Sequence, residues 1–419
     1  MTDRNANRSG YKRTPVGLIP EDWECRVFTD LFTRISKSLA PEATREYREI
    51  GIRSHGKGIF HKEPAPGRQL GDKRVFWCQP GTLAFNIVFA WEQAVALVSD
   101  NETGMVASHR FPMYKGKASL ADERFYLWFF KSPRGKHALG LASPGGAGRN
   151  KTLGQGELDF LRVPVPPLPE QTKIAEILST WDAAIEQTRA LIAATRRRKK
   201  GLLQELLTRK RRLPGFGGKW RRVRLESVCR LNPRCDGPGN TCEVTGAPMP
   251  FLRMEDVTED GRIVKFRNIS DPSGSGGHTS FTNDDVLVAK ITPCFENGKG
   301  CLVRGLPGSR GLGSTEFHTI RSGPAITPEI VYQHTQSQSF RDKGAAYMTG
   351  SAGQKRVPAD FVASYTFSLP DLPEQRAIAA VLTAADEAIT DLEAKAAALE
   401  RQKKGLMQKL LTGEVKVKL

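Results

Sequence analysis

Apolar residues return every seven positions along two separate stretches of this chain. In the first, Leu178, Ile185, Ile192, Lys199 and Leu206 form one series, and Trp181, Thr188, Thr195 and Leu202 form the other. In the second, Leu382, Ile389, Ala396, Lys403 and Leu410 are interleaved with Ala385, Leu392, Leu399 and Leu406. Two such series with a period close to 3.5 are the a and d positions of a coiled coil, and they predict a helix of roughly 35 residues in each stretch. Proline sets where each helix begins. VPVPPLPEQ (Val163–Gln171) and LPDLPEQ (Leu369–Gln375) end the preceding segment, because proline fixes φ and removes a donor. Pro169 or Pro373 then fits a first helical turn, where Glu170 or Glu374 complements the positive helix end.

The two stretches are copies of one another. Leu168–Thr208 aligns with Leu372–Thr412 without a gap, at an offset of 372 − 168 = 204 residues, and ends in KKGLLQELLT against KKGLMQKLLT. A period of this length is far too long for a solenoid and marks a duplicated unit, a variable block followed by a fixed helix. If the helices pair antiparallel, a contact from i to j + 204 is mirrored by one from j to i + 204. The expected product is a rod with a globular domain at each end. Lys199 and Lys403 share one seam position, where a lysine can fix register or can snorkel its ammonium into water.

The blocks between the helices read as α/β sequence. TLAFNIVFAW (Thr82–Trp91) and DVLVAKI (Asp285–Ile291) are strand-like, and LADERFYLWFFKS (Leu120–Ser132) predicts a short buried helix. Both blocks start alike, with Trp23 before Phe28 and Leu31, and Trp220 before Leu225 and Val228. Both end in a Gly-rich basic turn, GGAGRNK (Gly145–Lys151) and GSAGQKR (Gly350–Arg356). The predicted division is 1–165 and 214–368 for the globular blocks, and 166–213 and 369–419 for the helical ones.

Charge changes this picture. Lys and Arg number 63 against 45 Asp and Glu, a net +18. Thirteen of the cations fall between Arg196 and Arg224, opposed only by Glu205. An excess of this kind suits a polyanionic partner, since neutralising phosphates releases counterions. In VLVAKITPCFENGKGCLVR (Val286–Arg304) two strands flank an Asn297-Gly298 turn that carries Lys290, Thr292, Asn297 and Lys299, side chains able to reach phosphates or base edges. With the matched turns Arg149, Asn150, Lys151 and Gln354, Lys355, Arg356, these are the candidate contacts to such a polyanion.

Catalytic signatures are missing from the sequence. It holds no GxxxxGK[ST] nucleotide loop, no HExxH and no CxxC pair, and its seven histidines are scattered. Its seven cysteines are expected to be reduced thiols. With no apolar run long enough to span a bilayer, the expected location is cytoplasmic, away from membranes.

The twin LPEQ helices ending in KKGLxQxLLT, with LVAKITPCFENGK (Leu287–Lys299) and GLGSTEFHTI (Gly311–Ile320), resemble the DNA-specificity subunit of type I restriction–modification systems. The resemblance runs through nearly the whole chain, and the first block departs from it most, lacking the ITPCFENGK run. It implies two target-recognition domains, each reading one half of a bipartite, asymmetric site on double-stranded DNA. It further implies helices that set the spacer and dock two methyltransferase subunits. Motor-nuclease subunits join the same complex. The chain itself is then expected to be non-catalytic and without a cofactor, with S-adenosylmethionine, ATP and Mg on the partners. A protein-assembly scaffold with only incidental DNA contact is the alternative.

Overall fold

The computed structural model describes residues 9–71, 73–145, 151–233, 249–269, 278–351 and 353–419. The chain folds into two compact units, one made of Met1–Thr188 with Lys395–Leu419 and the other of Arg189–Ala394. The fixed stretches form two helices of 40 residues each, Leu168–Leu207 and Leu372–Leu411. Each compact unit therefore holds one variable block, the beginning of one long helix and the end of the other. Among the described residues no helix is long and apolar enough to cross a membrane.

In the first unit, Glu24–Val27 pairs antiparallel with Arg162–Val165, so the start and end of the block close on each other. The main sheet runs in the order Val95–Val98, Thr82–Phe85, Met113–Gly116, Phe32–Ile35, all antiparallel. The strand-like run from Thr82 stops at Phe85. Buried Asn86 ends it, accepting from the Val88 N–H at 3.2 Å and donating to the Ile52 carbonyl at 3.4 Å. Helix Glu123–Lys131 buries Phe125, Tyr126, Trp128, Phe129 and Phe130, and Asp122 caps its N-terminus. That aromatic face shares one core with Trp23, with Ile174, Ala175 and Leu178 of the first long helix, and with Leu410 and Leu411 of the second. The beginning of one long helix thus lies beside the end of the other, the antiparallel arrangement expected of the repeat.

The second unit repeats this plan. Arg221–Arg224 pairs with Thr366–Leu369, and the main sheet runs Gly300–Leu302, Val286–Ala289, Phe317–Ser322, Cys229–Leu231. Thr327 caps helix Pro328–Gln336 and Ser337 caps helix Gln338–Ala346, as Asp122 and Ser132 cap Glu123–Lys131 and Pro133–Leu141. Leu203, Leu206 and Leu207 share a core with Ile378, Ala379 and Leu382, again antiparallel. The units differ away from the main sheet. The second adds a four-stranded sheet, Arg267–Ile269, Met249–Leu252, Gly311–Gly313, Thr279–Phe281, where the first has three short strands, Val106–Ser108, Val75–Trp77 and Ser38–Leu39. The described cysteines, Cys25, Cys78, Cys229, Cys294 and Cys301, are free thiols, and Cys235 and Cys242 lie outside the described residues.

Candidate nucleic-acid interface

In the second unit the candidate loop and the candidate turn, more than fifty residues apart, come together beyond the sheet edge. The Thr292 N–H donates to the Lys355 carbonyl at 2.9 Å, and the Val357 N–H donates to the Lys290 carbonyl at 2.9 Å. Lys290 is half-buried, and its ammonium donates to the Thr315 carbonyl at 2.8 Å. Burial pulls its pKa down, Glu316 opposes that and Arg356 adds to it. Arg356 is exposed and forks onto Glu316 at 2.8–3.1 Å, while Gln354 and Lys355 stand exposed beside it. Asn297 is not in this group; its amide donates to Glu259 at 2.8 Å. Lys299 is half-buried on the returning arm of the loop.

The loop from Lys290 to Lys299 is longer than the tight Asn-Gly hairpin the sequence predicts, because Phe295 is drawn out of it into the core. Arg341, buried and missed by sequence reasoning, holds it there. Its guanidinium donates to the carbonyls of Phe295 at 2.8 Å and Gly298 at 3.0 Å and stacks on the Phe295 ring at 4.8 Å. Burial lowers the Arg341 pKa to about 10, which leaves it charged at neutral pH. Gly344 is needed for this packing, since a Cβ there would lie 2.2 Å from the Phe295 ring.

The first unit has a counterpart that its sequence conceals. There the second strand of the sheet leads into residues 86–94, and the Leu153 N–H donates to the Ile87 carbonyl at 2.8 Å, as Val357 does to Lys290. That loop carries Phe89 and Trp91 in place of the polar residues of the second unit. The Lys151 ammonium sits over the Trp91 ring at 5.8 Å. Arg149 and Asn150 lie outside the described residues.

The loops, the sheets and the long helices thus each occur twice, in matched positions. Residues 85–194 match the profile of the type I restriction modification DNA specificity domain. Over 161 residues, 38% of the chain, it is 35% identical to the type I restriction enzyme EcoAI specificity subunit of Escherichia coli, and it spans 26% of that relative's length. It is 22% identical to the type I restriction enzyme MjaVIII specificity subunit of Methanocaldococcus jannaschii, over 96% of the chain and 94% of the relative. The fold is like that of the type I restriction–modification S subunit from M. genitalium, with a TM-score of 0.56 and 13% identity, covering 93% of this chain and 96% of that one. Over nearly its whole length the chain is thus similar to type I specificity subunits.

Along the two long helices the seam positions Leu178, Ile185, Leu206, Leu382, Ile389 and Leu410 are buried, and Trp181, Ile192, Leu202, Leu392, Leu399 and Leu406 are half-buried. Lys199 and Lys403 do not simply snorkel. In the second unit Lys199 pairs with Asp386, and in the first Lys403 pairs with Asp182, the equivalent residues under the repeat. The block's own helix covers each pair: Trp128 lies 4.1 Å from the Lys403 ammonium, and Gln333 donates to Asp386 at 3.2 Å.

The LPEQ motif joins helix to block. Trp23 Nε1 donates to Glu170 at 2.9 Å, and Trp220 Nε1 donates to Glu374 at 3.0 Å. Gln171 donates to the Pro166 and Leu120 carbonyls, both at 2.9 Å, and accepts from the Asp122 N–H at 3.0 Å. Gln375 does the same with Pro370, Ala325 and the Thr327 N–H at 2.9–3.0 Å. Asp122 and Thr327 are the caps of helices Glu123–Lys131 and Pro328–Gln336. A fully buried glutamine thus satisfies three backbone groups and sets each block on its long helix. Sequence reasoning gave Glu170 and Glu374 only a helix-dipole role and gave the glutamines none. The recurrence of Trp and Glu-Gln in both copies was the available signal.

Proposed function

We propose that this chain is the non-catalytic DNA-reading subunit of a type I restriction–modification complex. Each block reads one half of a bipartite, asymmetric duplex site, and the helices fix the number of unread base pairs between the halves. Two methyltransferase subunits dock on the helices and supply the S-adenosylmethionine chemistry. Motor-nuclease subunits supply the ATP- and Mg-dependent steps.

The observation that carries this reading is the contrast within the duplication. The sheet order, the Trp–Glu bond and the glutamine lock are the same in both units, whereas the loops leaving the second strand differ in chemistry. Lys290, Thr292 and Lys299 stand in one loop, and Phe89 and Trp91 in the other. A constant frame with divergent loops suits two different base sequences, because phosphate contacts position a protein and base contacts specify its site. Methylome sequencing of cells carrying the complete complex tests it. The expected result is one asymmetric motif of two specified halves around a fixed unspecified gap. A single continuous motif, or no motif, contradicts the reading.

A further inference from the structure

The duplication also exposes a difference between the units. In the first, the end of the second long helix meets the junction of helices Glu123–Lys131 and Pro133–Leu141, and the chain's own N-terminal hairpin covers the groove there. Tyr11–Thr14 pairs with Gly17–Pro20, Tyr11 Oη donates to the Gly413 carbonyl at 2.8 Å, and Arg134 donates to the Leu18 carbonyl at 3.0 Å. What remains is a cavity of about 240 Å³ lined by Tyr11, Leu18, Ser132, Gln408 and Leu411.

The matching groove of the second unit, lined by the equivalent Gln204, Leu207 and Ser337, is open, with a volume of about 790 Å³. The segment from Arg209 to Lys219, which precedes Trp220 as the hairpin precedes Trp23, forms no strand. The floor is apolar and aromatic, made by Leu203, Leu207, Tyr365 and Phe367. The rim carries Lys200, Lys210, Arg222 and Lys343, all exposed and without a carboxylate partner among the described residues, and a single exposed carboxylate, Asp342. Lys200 has a cationic counterpart, Lys404, in the first copy, but the other rim cations have none. Under the repeat Lys210 corresponds to Glu414, and by strand register Arg222 corresponds to Cys25.

We propose that this groove docks an acidic peptide segment, bearing at least one apolar side chain, of the methyltransferase subunit. A peptide fits because a peptide fills the same groove in the first unit. Four cations without a carboxylate partner, against the one carboxylate of Asp342, call for an acidic occupant, and the aromatic floor favours a side chain over a sugar-phosphate backbone. Docking is then unequal between the two units. The groove gives the unpaired cations around Arg196–Arg224 a protein partner rather than a DNA one. The inference rests on the proposed role of the chain in carrying methyltransferase.

The test uses the full chain with K200Q/K210Q/R222Q/K343Q, and K404Q in the first unit as the control. Binding of the purified methyltransferase subunit of the same system and of a random 30-base-pair duplex is measured at low salt. The four-site variant is expected to bind the methyltransferase at least tenfold more weakly with duplex affinity within about twofold, and K404Q to match the parent in both. An unchanged thermal melt separates this from misfolding. A variant that loses duplex binding instead makes the groove a phosphate site and overturns the proposal, as does undiminished methyltransferase binding. Failure of the parent chain itself to bind methyltransferase removes the proposed function as well.

Discussion

Lys199 and Asp386 form an ion pair, and the repeat forms it again as Lys403 with Asp182. The seam lysine is 13% exposed and its aspartate 29%, so neither charge is fully hydrated. Removing one partner leaves the other partly desolvated, whereas exchanging them keeps the pair. Lys199→Ala is expected to cost about 1–3 kcal/mol, and K199D/D386K to recover most of it. A double-mutant cycle in chemical denaturation measures the coupling. Additive losses would mean that the lysines act only through their stems.

Glu374 and Glu170 are equivalent by the repeat but not in their surroundings. Glu374 is bound by Trp220 and by both arms of Arg212, at 2.6 and 3.0 Å. Glu170 has Trp23 and, at 3.4 Å, Lys416, and its Oε1 has no partner among the described residues. Glu374→Ala leaves the Trp220 indole N–H without its acceptor and takes the carboxylate from Arg212, and should cost about 1–3 kcal/mol. Glu170→Ala should cost clearly less. Hydrogen exchange resolved by unit gives both values, and equal losses would contradict the difference.

Acid sensitivity should concentrate in the second unit. Burial lowers the His318 pKa from 6.5 to about 4 and that of His334 to about 3. His318 donates through Nε2 to the Val357 carbonyl at 2.9 Å and faces the Asn232 amide through Nδ1 at 3.2 Å, a neutral tautomer. Both folded values lie below the unfolded one. The stabilisation is therefore complete above about pH 6.5 and is lost as pH falls towards 4, where the unfolded chain takes up protons that the folded chain refuses. Thermal melts across that range should show the second unit weakening first. His334→Phe should flatten its slope, and an unchanged slope would contradict the assignment.

Arg356 reaches the candidate DNA face with its charge already matched by Glu316. Glu316→Gln removes that carboxylate and should strengthen duplex binding at low salt. Lys290→Gln with Lys299→Gln should weaken it, flattening the dependence of log K on log salt by about 0.9 for each phosphate that is no longer neutralised. A salt titration of duplex affinity reads both. No change in slope would move these lysines off the DNA.

What the sequence revealed follows from the range of each signal. The seam and the repeat are periodic and local, so Leu178–Leu206 and Leu382–Leu410 could be read directly. Glu170, Gln171 and their partners could not, because Trp23 is 147 positions from Glu170 and the bond exists only after the block closes. Asp182 and Asp386 look like solvated helix charges until the antiparallel register places them beside the lysines. The loop at 86–94 was hidden because sheet order, not residue type, makes it the counterpart of 290–299. Arg341 was hidden for a related reason, as its partners are backbone carbonyls, which leave no mark in sequence.

The central claim is that each unit reads its own half of one DNA site. Replacing Trp220–Phe367 with the corresponding block of a type I specificity subunit retains Glu374, Gln375 and Asp386 on the long helix. The measurement is the methylome of cells carrying the chimaera with its partner subunits. The account predicts a new second half-site with the first half-site unchanged. A motif altered in both halves, or in neither, would contradict it.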